Sequence, residues 1–327
     1  MAVYFLNMKT FGRSGGSSAA SAAAYRAGER IRDERTGKTY DHSERQDVMH
    51  KEIVLPSRFT DEEMAWARDR ASLWNAAESA ETRKNARVAR EYLVALPVEL
   101  SPPQRVSLVR GFSQELSERY RFAVDFTIHA PRDFPGSDPR NFHAHLLATT
   151  REVMMDRLGA KTTFELNDEY RHKLGLGPAI NELLHVRERW AVAANESLKE
   201  AQVAARIDHR SLQAQGIDRE PALYFPRVAF EMERRGFRSV VADRMREEYQ
   251  ARLQARRSKT ADKEVSAEQE PAAAAASSTI RQSLEEIRRE ARENWLRSRF
   301  GEPQVRAEIE TSAAVDAVRV RDDDLTR

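Results

Sequence analysis

RFAVDFTIHAPRDFPGSDPRNFHAHLLATT, residues 121–150, holds two runs in which apolar and polar side chains alternate. In the first, Phe122, Val124, Phe126 and Ile128 fall on one side, and Asp125, Thr127 and His129 on the other. In the second, His143, His145 and Leu147 share a side. Successive side chains of a strand point to opposite faces, so both runs predict strands with one apolar and one functional face. The connection from Pro131 to Asn141 is rich in turn formers and long for a hairpin, which marks it for a role beyond closure.

His143 and His145, two apart on a strand, present their imidazoles to the same space. If the two strands pair antiparallel, His129 joins them from the neighbouring strand. Three neutral imidazoles suit a divalent ion and leave coordination positions open. A His-x-His pair alone is a weak signal, and the plainer alternative is that His129 merely ends its strand while the pair hydrogen-bonds within the loop. The third histidine on the matching face favours the metal reading.

Outward from this region, AVYFLNM (residues 2–8) reads as an N-terminal strand, followed by a Gly/Ser loop after Phe11. Ser17 or Ser18 then caps an alanine-rich helix carrying Tyr25. A tyrosine beside a three-histidine ion is equipment for phosphoryl transfer by a phenolic nucleophile. The small residues around Tyr25 are expected to let a DNA backbone approach. ERTGKTY (residues 34–40) is a turn at Gly37; Arg32 stands where a phosphate loop would need its first glycine, which excludes that motif. Thr60 and Glu63 form a capping box for a helix expected to run to about Arg87, with Met64, Ala67, Ala71 and Trp74 on its apolar stripe. REYLVALP (residues 90–97) reads as a buried strand. Ser101, Pro102 and Gln104 open a helix with Val109, Phe112 and Leu116 inward, and a further helix covers about residues 179–204.

Of the 327 residues, 40% are hydrophobic and 32% charged, a polar balance that predicts some solvated helix beyond a compact core. Net charge is only +2, so a polyanion site would need a local cluster of cations. With no cysteine, disulfides and thiolate metal sites are excluded. No apolar run is long enough for a membrane span and no signal peptide is evident, so a cytoplasmic protein without membrane insertion is expected. Beyond Gly236 charged residues dominate. A linker is expected near residues 270–279, then a helix capped by Thr279, then a disordered end.

Four stretches together resemble the MobA/MobL family of plasmid relaxases: FGRSGGSSAASAAAYRAGERI, LWNAAESAETRKNARVAREYLVALP, DPRNFHAHLLATTREV and ARIDHRSLQAQGIDREP. The resemblance spans about residues 1–236, leaving 237–327 as a charged, largely helical extension. It implies an α+β fold of the HUH type, a central, mostly antiparallel β-sheet with flanking helices. It implies Tyr25 as the nicking tyrosine and His129, His143 and His145 as ligands of a divalent ion, with Mg²⁺ or Mn²⁺ expected. Glu91 matches an acidic position of the family; some relatives carry a second carboxylate where this chain has Leu93. Either Glu91 or Asp125 is a candidate to take the phenolic proton, directly or through a histidine.

The activity implied is strand-specific nicking of plasmid origin DNA through a covalent 5′-phosphotyrosine. Single-stranded origin DNA, relaxosome accessory proteins, a coupling protein and a separate helicase are the implied partners, since the sequence has no Walker motif. Lys9, Arg13, Arg26, Arg30, Arg140, Arg151, His209 and Arg210 are candidate DNA contacts. Competing readings are a rolling-circle replication initiator or transposase of the same chemistry, a metal-dependent hydrolase in which Tyr25 is structural, and a non-catalytic DNA-binding module.

Overall fold

A computed structural model of the chain describes residues 2–263, apart from 17, 61 and 132–137, together with 286, 289, 290 and 293. The expected linker and chain end lie outside the described residues, as does most of the connection after Pro131. The chain divides into two units, Met1–Ser211 and Leu212–Arg327.

In chain order, the first unit contains β1 (Leu6–Gly12), α1 (Ala19–Ala27), the short hairpin β2 (Arg30–Arg32) and β3 (Thr39–Asp41), and β4 (Val48–Val54). It continues with α2 (Ala65–Arg68), α3 (Arg70–Ser79), β5 (Arg87–Ala95), α4 (Pro102–Tyr120), β6 (Val124–His129) and β7 (His143–Thr149). The ribbon β8 (Arg151–Val153) and β9 (Leu158–Lys161), then α5 (Asp168–Lys173) and α6 (Ala179–Glu200), complete it. The second unit contributes α7 (Arg227–Arg234) and α8 (Val240–Lys263). Among the described residues, no helix is long and apolar enough to cross a membrane.

Five strands form one antiparallel sheet in the order β1-β5-β7-β6-β4. The two alternating runs pair as their period predicts, with His129 opposite His143 and Thr127 opposite His145. One face carries Tyr92, Val94, Val124, Phe126, Ile128, Leu146 and Ala148, and α4 and α6 cover it with Val109, Phe112, Leu116, Val186 and Trp190. Phe112 and Trp190 meet edge to face at 5.1 Å. The other face is covered in part by α1 and α3, through Ala19, Ala20, Ala23, Ala24, Leu73 and Trp74 against Ala89 and Leu147. The histidines lie on this second face.

Three local expectations are corrected. The first strand begins at Leu6 and runs through Phe11 to Gly12, because its partner β5 starts at Arg87, three residues earlier than the sequence suggested. The Thr60–Glu63 capping bond forms, with Thr60 N donating to Glu63 Oε2 at 2.8 Å. The helix after it is nevertheless broken: Asp69 is extended, accepts from Ser72 N at 2.8 Å and starts α3 afresh. A carboxylate able to cap is favoured over another helical turn at that point. Finally, the alanines of α1 are buried against α3 and the sheet, so their small size brings that helix close to the sheet rather than clearing room for DNA.

Candidate functional site

His129 ends β6 and His143 begins β7, and the antiparallel register sets them side by side with His145 two residues on. Their rings lie 4.9–5.4 Å apart between centroids. One ligand atom from each lies within 4.8 Å of the others. Two nitrogens bound at about 2.1 Å to one ion are at most ~4.2 Å apart, so a small turn of a ring closes the set.

Each ring has its other nitrogen engaged. His129 Nε2 meets the Arg26 carbonyl at 2.8 Å, His143 Nδ1 the Asn141 carbonyl at 3.0 Å, and His145 Nδ1 the Glu91 carboxylate at 2.7 Å. Those nitrogens donate to oxygen acceptors, which leaves His129 Nδ1 and Nε2 of the other two with a lone pair for metal. Burial pushes the His129 imidazolium down to about 4, and the charge of Arg45 adds to the effect. Burial also lowers His145. Neutral imidazoles with oriented second nitrogens are the donor chemistry that a divalent ion requires, so the residues fit the metal.

Glu91, on β5, is fully buried beneath His145. Arg26 Nε donates to its Oε1, and Lys9 Nζ from β1 forms an ion pair with Oε2 at 2.7 Å. Burial alone would raise this carboxyl, but the His145 hydrogen bond and the Arg26 charge hold it well below the usual carboxylate range. It is therefore an anion that fixes the His145 tautomer. Leu93 lies directly opposite His145, so the β5 neighbour paired with that histidine is apolar.

Tyr25 sits on the last turn of α1 and is 39% exposed. Ser18 caps this helix at its start, accepting from Ser21 N at 3.3 Å while its own hydroxyl donates to Asp33 at 2.7 Å. At the other end Gly28 adopts φ +58°, and an added Cβ there would meet Val48 at 3.2 Å. The helix end is tied to the histidines by the Arg26 carbonyl, one residue from the tyrosine. Beyond the sheet, the Arg45 guanidinium stacks on the Tyr25 ring at 4.3 Å and His42 meets it edge-on at 5.2 Å.

Asp125 is on the histidine face of β6 but is not brought to the histidines. It accepts two bonds from Arg70, at 2.8 and 2.9 Å, and one from Trp74 at 2.8 Å. Asp125 and Glu91 both lie opposite Leu147, diagonal to His145, but only Glu91 turns to the imidazole, while Asp125 is taken up by Arg70 and Trp74. The candidate DNA contacts divide by burial. Arg26 is buried on Glu91, Arg13 binds Glu78 and the Glu81 carbonyl, and Arg151 binds Glu81 and the Gly159 carbonyl. Lys9, Arg30, Arg140 and Arg210 are largely exposed, with Arg140 and Arg210 paired to Asp138 and Asp208. His209 lies 3.9 Å from Asp208.

His42, Arg45 and Asp47 escaped the sequence analysis. They sit in an irregular segment between β3 and β4 with no periodicity, and only the density of ionisable residues in DHSERQD marked it.

Comparison with known proteins places this geometry in context. The model of the MobA/MobL family matches residues 17–235. Mobilization protein MobL of Acidithiobacillus ferridurans is 36% identical over 254 residues, 72% of this chain and 65% of that protein. The 43 kDa relaxation protein of Salmonella typhimurium is 37% identical over 236 residues, 67% of this chain and 57% of that protein. The chain thus spans less than two thirds of the length of either. A solved structure described as the molecular basis of vancomycin resistance transfer in Staphylococcus aureus aligns with a TM-score of 0.50 at 29% identity. It covers 64% of this chain and all of that one.

Proposed function

The chain belongs to the MobA/MobL family, and from that premise we propose that it is a DNA relaxase whose nucleophile is Tyr25. The observation that carries this reading is the hydrogen bond from His129 to the Arg26 carbonyl, which fastens the residue after Tyr25 to the three-histidine cluster. On this reading the end of α1 that bears the phenol is joined to the strand that bears the first metal ligand.

In this proposal the phenolic oxygen attacks a phosphodiester phosphorus of single-stranded origin DNA. A bond forms between Oη and phosphorus, the bond from phosphorus to the 3′ oxygen breaks, and the phenol loses its proton as the 3′ oxygen leaves as a hydroxyl. The 5′ phosphate stays on Tyr25, so the energy of the ester is kept and a later 3′ hydroxyl can reverse the step. His129, His143 and His145 would hold a divalent ion, Mg²⁺ or Mn²⁺, which when bound offsets charge on the non-bridging oxygens.

Glu91 positions His145 and balances Arg26; Asp125, saturated by Arg70 and Trp74, has a structural part. The exposed cations Lys9, Arg30 and Arg140 are the side chains best suited to phosphate contacts. Accessory relaxosome proteins, a coupling protein and a separate unwinding enzyme complete the proposed setting, mobilisation of plasmid DNA. The domain boundary near residue 236 is likewise proposed as the end of the nicking region.

The test is incubation with Mn²⁺ and single-stranded oligonucleotides tiling the non-coding DNA beside the gene, followed by denaturing electrophoresis. A relaxase leaves a protein-linked strand that Tyr25→Phe cannot form. A hydrolase releases two free fragments, and that result would refute the proposal.

A further inference from the structure

Resting on the reading of Tyr25 as nucleophile, we propose that Arg45 and Asp47 form a clamp that positions its ring against the histidine strand. Arg45 holds the tyrosine in two ways. Its guanidinium covers the ring face at 4.3 Å, and its Nη1 donates to the Tyr25 carbonyl at 2.5 Å. Asp47 fixes the guanidinium in turn, accepting from Nε at 2.8 Å and from Nη2 at 2.5 Å. All three nitrogens of the fork are therefore committed, and only a planar guanidinium supplies them in this arrangement. Both side chains are mostly buried, 13% and 17% exposed, unlike the surface ion pairs elsewhere on the molecule.

The clamp is anchored to the site at its far end. Ala130 N, the residue after His129, donates to the Asp47 carbonyl at 2.8 Å, and Val48 pairs with His129 in the sheet. A continuous path thus runs from the ring through Arg45 and Asp47 to the strand that carries the first histidine. Gly28 makes room for it: a side chain there would press on Val48 at 3.2 Å and on Arg45 Cβ at 3.4 Å. This path is separate from the Arg26 carbonyl bond, and the two together fix both the backbone and the ring of residue 25.

Arg45 and Asp47 are positioning residues, acting on the rate of attack rather than on DNA affinity. Misplacement of a nucleophile by about 1 Å slows reaction by up to ~100-fold. Full-length Arg45→Met is expected to form adduct roughly 10- to 100-fold more slowly in single turnovers at saturating oligonucleotide. Its oligonucleotide and Mn²⁺ affinities should stay near those of the unsubstituted chain. Asp47→Asn should share part of the loss, and Arg45→Lys, which keeps the charge but not the fork, should fall between.

A second readout needs no DNA. With 3-fluorotyrosine incorporated and the Tyr25 fluorine line assigned through Tyr25→Phe, Arg45→Met and Asp47→Asn should each move that line toward its unfolded-chain position. A wild-type adduct rate in Arg45→Met, a loss explained wholly by weaker DNA binding, or an unmoved fluorine line would overturn the clamp. If the unsubstituted chain captures no oligonucleotide, the nicking reading fails by itself, and the fluorine line still judges the clamp.

Discussion

Replacing Glu91 by glutamine removes one negative charge at constant shape from the most enclosed part of the site. The carboxylate is fully buried, and Arg26, whose side chain is 8% exposed, loses its counter-charge. Breaking a buried pair in this way costs about 3–5 kcal/mol. Lys9 is 51% exposed and adds little to that figure, because water screens it. The amide oxygen can still accept one hydrogen bond, which argues for the lower end, about 3 kcal/mol. For a domain of this size that corresponds to a fall in Tm of ~6–12 °C, read by thermal unfolding in a chelator so that no metal contributes. Separately, His145 loses the anion that orients it and raises its basicity, and losses of this kind reduce metal affinity by ~10- to 100-fold. Calorimetric titration with Mn²⁺ reads that effect. A variant that melts with the unsubstituted chain and binds Mn²⁺ equally well would refute the role assigned to Glu91.

Other consequences are open to direct test. Asp125→Asn removes one of the two carboxylates that hold Arg70, leaving it Glu29 at 2.6 Å, so it should lower the urea midpoint modestly yet form adduct at nearly the normal rate below its unfolding transition; loss of the adduct in folded protein would return Asp125 to the chemistry. Gly28→Ala imposes a left-handed backbone on a residue with a Cβ, at a cost of about 1–2 kcal/mol in urea unfolding, and crowds Val48 as well. Glu182 is held at about 2: burial would raise it, but bonds from Arg171, Arg119 and Tyr120 outweigh burial. Its folded-state pKa is depressed, so the stability it contributes is present above about pH 4.5 and is lost as pH falls toward 2. Glu182→Gln should therefore flatten acid unfolding in that window, measured by circular dichroism.

The parts of this architecture that could be read in advance are those with a strong period or a local cap. The β6 and β7 alternation puts His129, His143 and His145 on one face, because a strand's period of two leaves no other arrangement once the apolar set is buried. The capping box at Ser101 and Gln104 likewise marked the start of α4. The break between α2 and α3 was hidden, since Asp69 reads equally well as a helical surface residue or as a new cap, and tertiary packing makes the choice. β4 was hidden too: it is an edge strand whose charged residues Lys51 and Glu52 mask its alternation. At the site, the chemistry-bearing residues stood out by type, but their supports did not. Arg26 looked like a DNA contact and is a buried partner of Glu91; Arg45 lies twenty residues from the ring it covers. Sequence spacing carries no information about such contacts, because they depend on how a loop folds back.

In the proposed reaction the Tyr25 oxygen becomes bonded to a DNA phosphorus within reach of the histidine cluster. Proteolysis of an oligonucleotide adduct formed with Mn²⁺, followed by tandem mass spectrometry, locates the bond. A nucleotide carried on the phenol of Tyr25, absent when the metal is chelated, is the predicted result. A nucleotide on any other residue, or cleavage of the DNA with none attached, would contradict it.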